Sequence, residues 1–418
     1  MQEDKQILHH LYRTEKSKIT AVLVKLFGFE HIEIAEDIVS DTFLAATETW
    51  QKTGLPIKPI AWLYTVAKNK ARDYLKHNQV FLDKVIPGIK GKQSDVYEIE
   101  IDLSPQNIVD SQLQMMFAIC HPSISKEAQI GLSLKILCGF SIEEIASAFL
   151  TKKDTIQKRL DRAKLKLKKD KAEMVFPNED EIHKRLEAVL ITLYLLFNEG
   201  YYSISTNKSL RKDLCLEAMR LNFLLVENEN TNLPQVNALL SLMCFHSSRF
   251  EARIDSNGIN ILYDDQDSRL WNRPLIEKGE YFLSKATEGK EITKYHLEAA
   301  IAYWHTVRSD SEDKWENILQ LYNKLLVLEY SPMAALNRTL ALAKSRGKKV
   351  AILEAQKLSL KNHFLYYSLL GYLFTGLDQE MALAHFNTAL NLAKTVADKN
   401  VILKYIQKLS DGKVNTWV

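Results

Sequence analysis

Apolar residues recur at three- and four-residue spacing along almost the whole chain, the period of an amphipathic helix, whereas alternating runs bounded by turn residues are scarce. The pattern predicts an all-α protein. It lapses once, in HNQVFLDKVIPGIKGKQSDVYEIEIDLSP, a polar stretch with Pro87, Gly88, Gly91 and Pro105 and no sustained period. That stretch reads as a linker, residues 79–109, between a helical block over 1–78 and a second over 110–175. A third block takes up 176–418, so the 418 residues divide into three helical parts.

Within the second block, SIEEIASAFLTKKDTIQKRLDRAKLKLKK has the layout of a helix-turn-helix. Ile142, Ile145, Ala146 and Phe149 make one apolar stripe, and Ile156, Leu160, Ala163 and Leu167 another on the following helix. Opposite the second stripe, Thr155, Lys158, Arg159, Arg162 and Lys166 fall on one exposed face, as a helix must present them to reach base edges and phosphates in a major groove. Charge reinforces this reading. Net charge is +3, and the whole excess lies in residues 1–176, with 26 Lys+Arg against 23 Asp+Glu; the remainder balances at 29 against 29. Residues 152–171 alone hold ten basic and three acidic residues, a local field suited to a polyanion.

The first block carries a second constellation. In AEDIVSDTFLAATETW, Ala35, Ile38, Val39, Thr42 and Ala46 are spaced to face a core, leaving Asp37, Asp41 and Glu48 on an acidic face suited to a basic protein partner. In GLPIKPIAWLYTVAKNKARDYLKH, Leu63, Val66, Ala67 and Tyr74 turn inward. Thr65, Lys68, Asn69, Arg72 and Lys76 share the other face, close to Trp62 and Tyr64. Cations interleaved with aromatics are the makings of a platform for single-stranded nucleic acid.

Taken together these residues resemble the sigma-70 family of RNA polymerase sigma factors. AEDIVSDTF resembles its region 2.2, AWLYTVAKNKARDYLKH its regions 2.3 and 2.4, and the helix-turn-helix its region 4. The order and spacing are similar to the short extracytoplasmic-function (ECF) subgroup. LYLLFNEGYYSIS, LCLEAMRLNFLL, LYDDQDSRLWNRPLIEKG and SPMAALNRTLALA resemble a tetratricopeptide-like extension found in some of its members. The resemblance implies that Asp37, Ser40 and Asp41 contact the clamp helices of core polymerase. It implies that the Thr53 to Pro59 loop, including Lys58, captures an unstacked base of the minus-10 element together with Asn69 and Trp62, while Lys68, Arg72 and Lys76 hold the strand. Thr155, Lys158, Arg159, Arg162 and Lys166 are then the readers of the minus-35 duplex, and the apolar face around Leu113, Met116 and Phe117 an aid in engaging the polymerase flap. Two positions depart from the family pattern: Ser40 stands where Gln is usual, and Thr65 where Arg is common.

The third block ends in YYSLLGYLF and MALAHFNTALNLA, where Tyr367, Leu370, Gly371, Phe374, Ala382, Phe386 and Ala389 sit near the small and aromatic positions of a tetratricopeptide repeat. SPMAALNRTLALAKSRGKKVAILEAQKL reads as a degenerate partner, helix, Gly347 turn and helix. Gly200 in LFNEGYYS reads as the left-handed cap of a helix end. Asp264, Asp265 and Asp267, with Arg269, Trp271 and Arg273, lack the glycine and glutamate of a calcium loop and read as a salt-bridged corner. His246, His296, His305, His363 and His385 lie too far apart for a zinc motif and read as packing or surface histidines.

Other classes find no support. Cys120, Cys138, Cys215 and Cys244 form no CxxC pair, the pattern of a reducing compartment. The start MQEDKQILHH lacks the layout of a signal peptide, and the longest near-apolar run, Ala188–Phe197, is half a membrane span, so the reading is cytoplasmic and off the membrane. No GxSxG, GxGxxG or phosphate-binding loop occurs. The expectation is a non-enzymatic promoter-specificity subunit without cofactor. Its partners are core RNA polymerase, promoter DNA and a regulatory protein or ligand at the C-terminal extension. The rival readings are a one-component regulator with a sensing tail, which leaves the Asp37/Asp41 face and the AWLY helix unexplained, and a helical scaffold that collects protein partners, with the basic helix a solvated face.

Overall fold

The computed structural model describes residues 2–77, 100–149, 151–202, 208–253, 261, 263–360, 362–394 and 396–410. Most of the expected linker, residues 78–99, lies outside them. Among the described residues the secondary structure is helical, with no strand, as the periodicity predicts. The chain forms two compact units, Met1–Leu196 and Phe197–Val418.

The first unit begins with α1 (Gln2–Phe27), α2 (Ile32–Thr53) and α3 (Pro59–His77). Ala35, Ile38, Val39, Thr42 and Ala46 of α2 are buried as expected, joined by Phe43 and Trp50. On α3, Leu63 and Ala67 are buried and so are Ala71 and Leu75, one turn and two turns further along the same stripe. Gly54 ends α2 with φ 80, a left-handed conformation that costs any residue with a Cβ, and the chain turns there into the loop before α3.

The next helix, α4 (Pro105–Ile119), starts five residues before the expected block. Ser104 caps it, accepting from the Asn107 amide, and Pro105 occupies the first turn, where its missing N–H costs nothing. It packs along α1, where Gln112 donates to Ser17 at 3.4 Å and Lys25 to Asn107 at 3.0 Å. Leu113, Met116 and Phe117 are therefore core residues, each 1% exposed or less, and the expected flap-facing apolar surface is not a surface. Then come α5 (Lys126–Ile136), α6 (Ile142–Ala148) and α7 (Lys153–Lys169), followed by α8 (Glu179–Tyr202). The start of the third block packs back on the second: Phe176 meets Phe117 edge-on at 5.5 Å, and Ile182 and Leu186 are buried. This is why the first compact unit runs past the expected boundary at 175. Gly200 lies inside α8, not at a left-handed cap, because the helix continues through Tyr202.

The second unit is an array of helices: α9 (Lys208–Glu227), α10 (Pro234–Ser247), α11 (Phe250–Arg253), α12 (Arg273–Ala286), α13 (Lys294–Trp304) and α14 (Glu312–Leu328). It continues with α15 (Pro332–Arg346), α16 (Lys348–Ala355), α17 (Phe364–Phe374), α18 (Gln379–Leu392) and α19 (Val396–Ser410). Helix α10 packs on α9, α12 and α13, and from α12 onward each helix packs on the next. Gly347, at φ 89, turns α15 into α16, matching the helix, glycine turn and helix of the sequence pattern. Between α17 and α18 the approach is close: a Cβ on Gly371 would stand 2.7 Å from the Phe386 ring. Ala382, Phe386 and Ala389 are buried along that seam.

Candidate nucleic-acid and polymerase interface

The sequence SIEE starts α6 with a reciprocal cap. The Glu144 carboxylate accepts from the Ser141 amide at 2.8 Å, and the Glu144 amide donates to the Ser141 hydroxyl at 3.1 Å. Ile145 and Ala146 are buried, with Ile142 and Phe149 half-buried at the ends of the stripe. On α7, Ile156, Leu160, Ala163 and Leu167 are all buried. Burying each of the larger side chains is worth roughly 1.5–3 kcal/mol, so this stripe fixes the rotation of α7 about its axis. A Cβ on Gly131 would come within 2.9 Å of Leu160, so the glycine admits α7 close against α5.

With the stripe inward, the basic face points out. Thr155, Lys158, Arg162 and Lys166 are exposed and Arg159 is half-buried, its guanidinium 5.9 Å from the Phe149 ring. All five line one open groove of about 450 Å³, floored by Ile124 and Ala128. Lys166, Lys168 and Lys169 occupy the last turn, where they complement the helix dipole.

On α2, Asp37, Ser40 and Asp41 are exposed on one face with Glu48, as their spacing requires. The Ser40 hydroxyl donates back to the Glu36 carbonyl at 2.8 Å, and the Asp41 carboxylate lies 3.8 Å from Lys70 of α3. Among the candidate strand-binding residues, Lys58, Asn69, Arg72 and Lys76 are exposed and Lys68 is half-buried. Trp62 is half-buried against Trp50, ring centroids 5.3 Å apart. Tyr64 departs from the expected platform: its hydroxyl donates to Glu15 of α1 at 2.6 Å, and burial with this carboxylate raises its pKa far above the phenol range. An aromatic next to Trp62 in sequence is thus spent on the interior.

One arrangement could not be read from local pattern. The face of α7 beside the basic groove meets the start of α2, where Lys164 pairs with Glu36 at 2.6 Å and Lys168 pairs with Glu33. The Glu33 carboxyl is held below its ordinary pKa by the hydrogen bond from Lys168, against the opposing effect of burial. The acidic and basic faces therefore touch at their edges, while Asp37 and Asp41 on one side and Arg162 and Lys166 on the other stay open. In the second unit, Asp265 pairs with Lys408 at 3.0 Å and Asp267 with Arg269 at 2.7 Å, while the side chain of Asp264 lies outside the described residues.

Comparison with known proteins gives three findings. Residues 11–80 match the family described as sigma-70 region 2, which covers α2, α3 and most of α1. Residues 185–287 match a family of unknown function, DUF6596. Over 390 residues, 91% of each chain, the sequence is 30% identical to a protein of Rhizobium meliloti (strain 1021) described as uncharacterized protein R00370. No solved structure matches.

Proposed function

We propose, from the premise that this chain belongs to one family with the R00370 protein of Rhizobium meliloti and carries a sigma-70 region 2 at residues 11–80, that it is an ECF-type sigma factor. It binds core RNA polymerase, places it on a promoter, and holds the DNA open while transcription starts. The observation that carries this reading is the convergence of Thr155, Lys158, Arg159, Arg162 and Lys166 on one open groove in the compact unit that also contains region 2.

Each part has a task that its chemistry suits. The exposed Asp37, Ser40 and Asp41 face takes the clamp helices. Lys58, Trp62 and Asn69 receive an extruded base of the minus-10 element, and Lys68, Arg72 and Lys76 hold the strand's phosphates. Opening DNA costs unstacking energy, which pockets for extruded bases repay. The α7 groove reads the minus-35 duplex, where Arg159 and Arg162 are suited to bidentate contact with guanine. The C-terminal unit, a tetratricopeptide-like helical array around the Gly371 and Phe386 seam, regulates or supports initiation. The protein is cytoplasmic and acts through polymerase, with no catalysis of its own.

The test is promoter-directed transcription with purified core polymerase and the full chain, on fragments from its own genomic neighbourhood. Specific initiation, lost when Asp37 and Asp41 are both changed to Ala, is the expected result. DNA binding without core binding would instead favour a one-component regulator.

A further inference from the structure

Helix α7 carries two rows of cations, and only one of them lines the open groove. Lys158, Arg162 and Lys166 belong to the groove, whereas Lys164 and Lys168, one turn apart, turn to the start of α2. There Lys164 pairs with Glu36 at 2.6 Å, the side chains 13% and 19% exposed, and Lys168 pairs with Glu33. Helix α7 also packs on the Phe29–His31 turn that leads into α2.

Glu33 is part of the acidic face. At helical spacing it begins the stripe Glu33, Asp37, Asp41, Leu44 and Glu48, every member of which is exposed. Leu44, 57% exposed, stands within that stripe with acids on both sides. An apolar side chain inside a polar rim is the make-up of a protein-binding face with its anchor at the centre. Helix α7 therefore sits on one end of the surface assigned above to core polymerase.

The junction also brings like charges together. Lys135 of α5 lies near Glu36 and Lys164 and near Lys16 of α1, and burial first, then the positive charge of Lys16, holds its pKa below the ordinary value. Ion pairs at a surface are individually weak and screened by salt, so a junction of this kind yields to a competitor.

Dimensions require it to yield. The compact unit Met1–Leu196 is about 40 Å across, from a radius of gyration of about 16 Å. The minus-10 and minus-35 elements lie about 25 base pairs apart, about 85 Å of duplex at about 3.4 Å per pair, and so short a duplex is too stiff to fold back on itself. With α7 held on α2, the readers on α3 and those on α7 cannot meet both elements at once.

We propose that α7, through Lys164 and Lys168, covers the N-terminal end of the acidic α2 face in the free chain and competes there with core polymerase, whose binding displaces it and lets the two sets of DNA readers separate. The proposal rests on the sigma-factor reading and adds a control to it: the chain keeps its own polymerase face partly closed.

Two measurements on the full chain test it: binding to core polymerase without DNA, and carbodiimide crosslinking, which joins an amine to a carboxylate in contact with it. Changing Lys164→Gln and Lys168→Gln together should tighten core binding roughly fivefold, since each pair is worth up to a factor of about five. In the free parent chain, mass spectrometry should recover Lys164 joined to Glu36 or Lys168 joined to Glu33, and saturating core polymerase should suppress that product. If the double variant does not fold, Lys168→Gln, the more exposed of the two, and the crosslink in the unaltered chain carry the test. The proposal is overturned if the variants bind core no more tightly than the parent, if the free chain gives no such crosslink, or if the crosslink persists undiminished in the polymerase complex. Each of those results leaves the sigma-factor reading standing, because the parent still binds core. Failure of the parent to bind core at all sinks that reading and takes the proposal with it, whatever the crosslink shows.

Discussion

Helix α7 and the segment around Arg249 each gather basic side chains, but one displays them and the other buries them. On α7, Lys158, Arg162 and Lys166 are exposed around an open groove, whereas Arg249 and Lys314 are 8% and 2% exposed among aromatic rings. Hydrated cations cost little to hold and act over about a Debye length, so they suit a large polyanion and weaken with salt. Buried cations act over a few ångströms and are held at a cost in desolvation that packing and hydrogen bonds around them must offset. The same residue types therefore mean different things in the two units, and burial, more than charge, tells them apart.

The largest effect expected follows from the displayed set. Changing Arg159 and Arg162 together to Ala should weaken binding to a cognate promoter duplex by roughly 100-fold or more, since a bidentate base contact is worth about 1–3 kcal/mol. Thermal stability should move little, because neither side chain is in the α7 stripe. Anisotropy titration and thermal unfolding on the same samples separate the two. An equal loss in both would show that α7 carries these residues for packing, and the contrast with the buried set would collapse.

The buried set should respond to pH where the displayed set does not. His305 is neutral in the fold, its pKa pushed to about 3, whereas an unfolded histidine titrates near 6.5. The unfolded chain therefore binds more protons below pH 6.5, and stability rises with pH. The contribution is fully present above about pH 6.5 and is lost as pH falls toward 3, amounting to about 1 kcal/mol by pH 5.5. His305→Gln should flatten the slope of stability between pH 7.5 and 5.5 in urea unfolding. An unchanged slope would mean that His305 gains a proton in the fold as readily as in the unfolded chain.

A smaller effect tests the displayed set again. Lys158→Gln should lower promoter affinity modestly and evenly across sequences, and reduce the slope of log affinity against log salt by about one. A change confined to one base pair would instead make Lys158 a reader.

How much of this was legible in the sequence depended on range. Both apolar stripes of the basic domain, the inward set on α2 and the exposed face of α7 follow from helical spacing alone, and the structure keeps them. The start of α4 at Pro105 was signalled by Ser104 and Pro105, a cap followed by a first-turn proline, but the polar run before it masked the signal. Leu113, Met116 and Phe117 looked like a free apolar face because their partners, in α1 and at Phe176, are remote in the chain. Tyr64 turned inward for the same reason, its partner Glu15 being 49 residues away. His246 and His305 were dismissed for their spacing, since periodicity ranks residues on one helix and is silent on what several helices bring to one ring.

The smallest effect concerns a pair that lies between the two extremes. Lys164 and Glu36, 128 residues apart, meet at 2.6 Å with side chains 13% and 19% exposed, neither fully hydrated nor fully enclosed. An exposed pair would contribute about 0–1 kcal/mol, and partial burial puts this one near the upper end. A double-mutant cycle with Glu36→Gln and Lys164→Met should therefore return a coupling of about 1 kcal/mol in thermal unfolding at low salt, falling only in part as salt is added, because a half-buried pair is incompletely screened. Salt removing the whole coupling would place the contact with the displayed charges. No coupling at any salt would mean that packing alone seats α7 beside α2, and that the edge contact between the acidic and basic faces contributes nothing to holding them together.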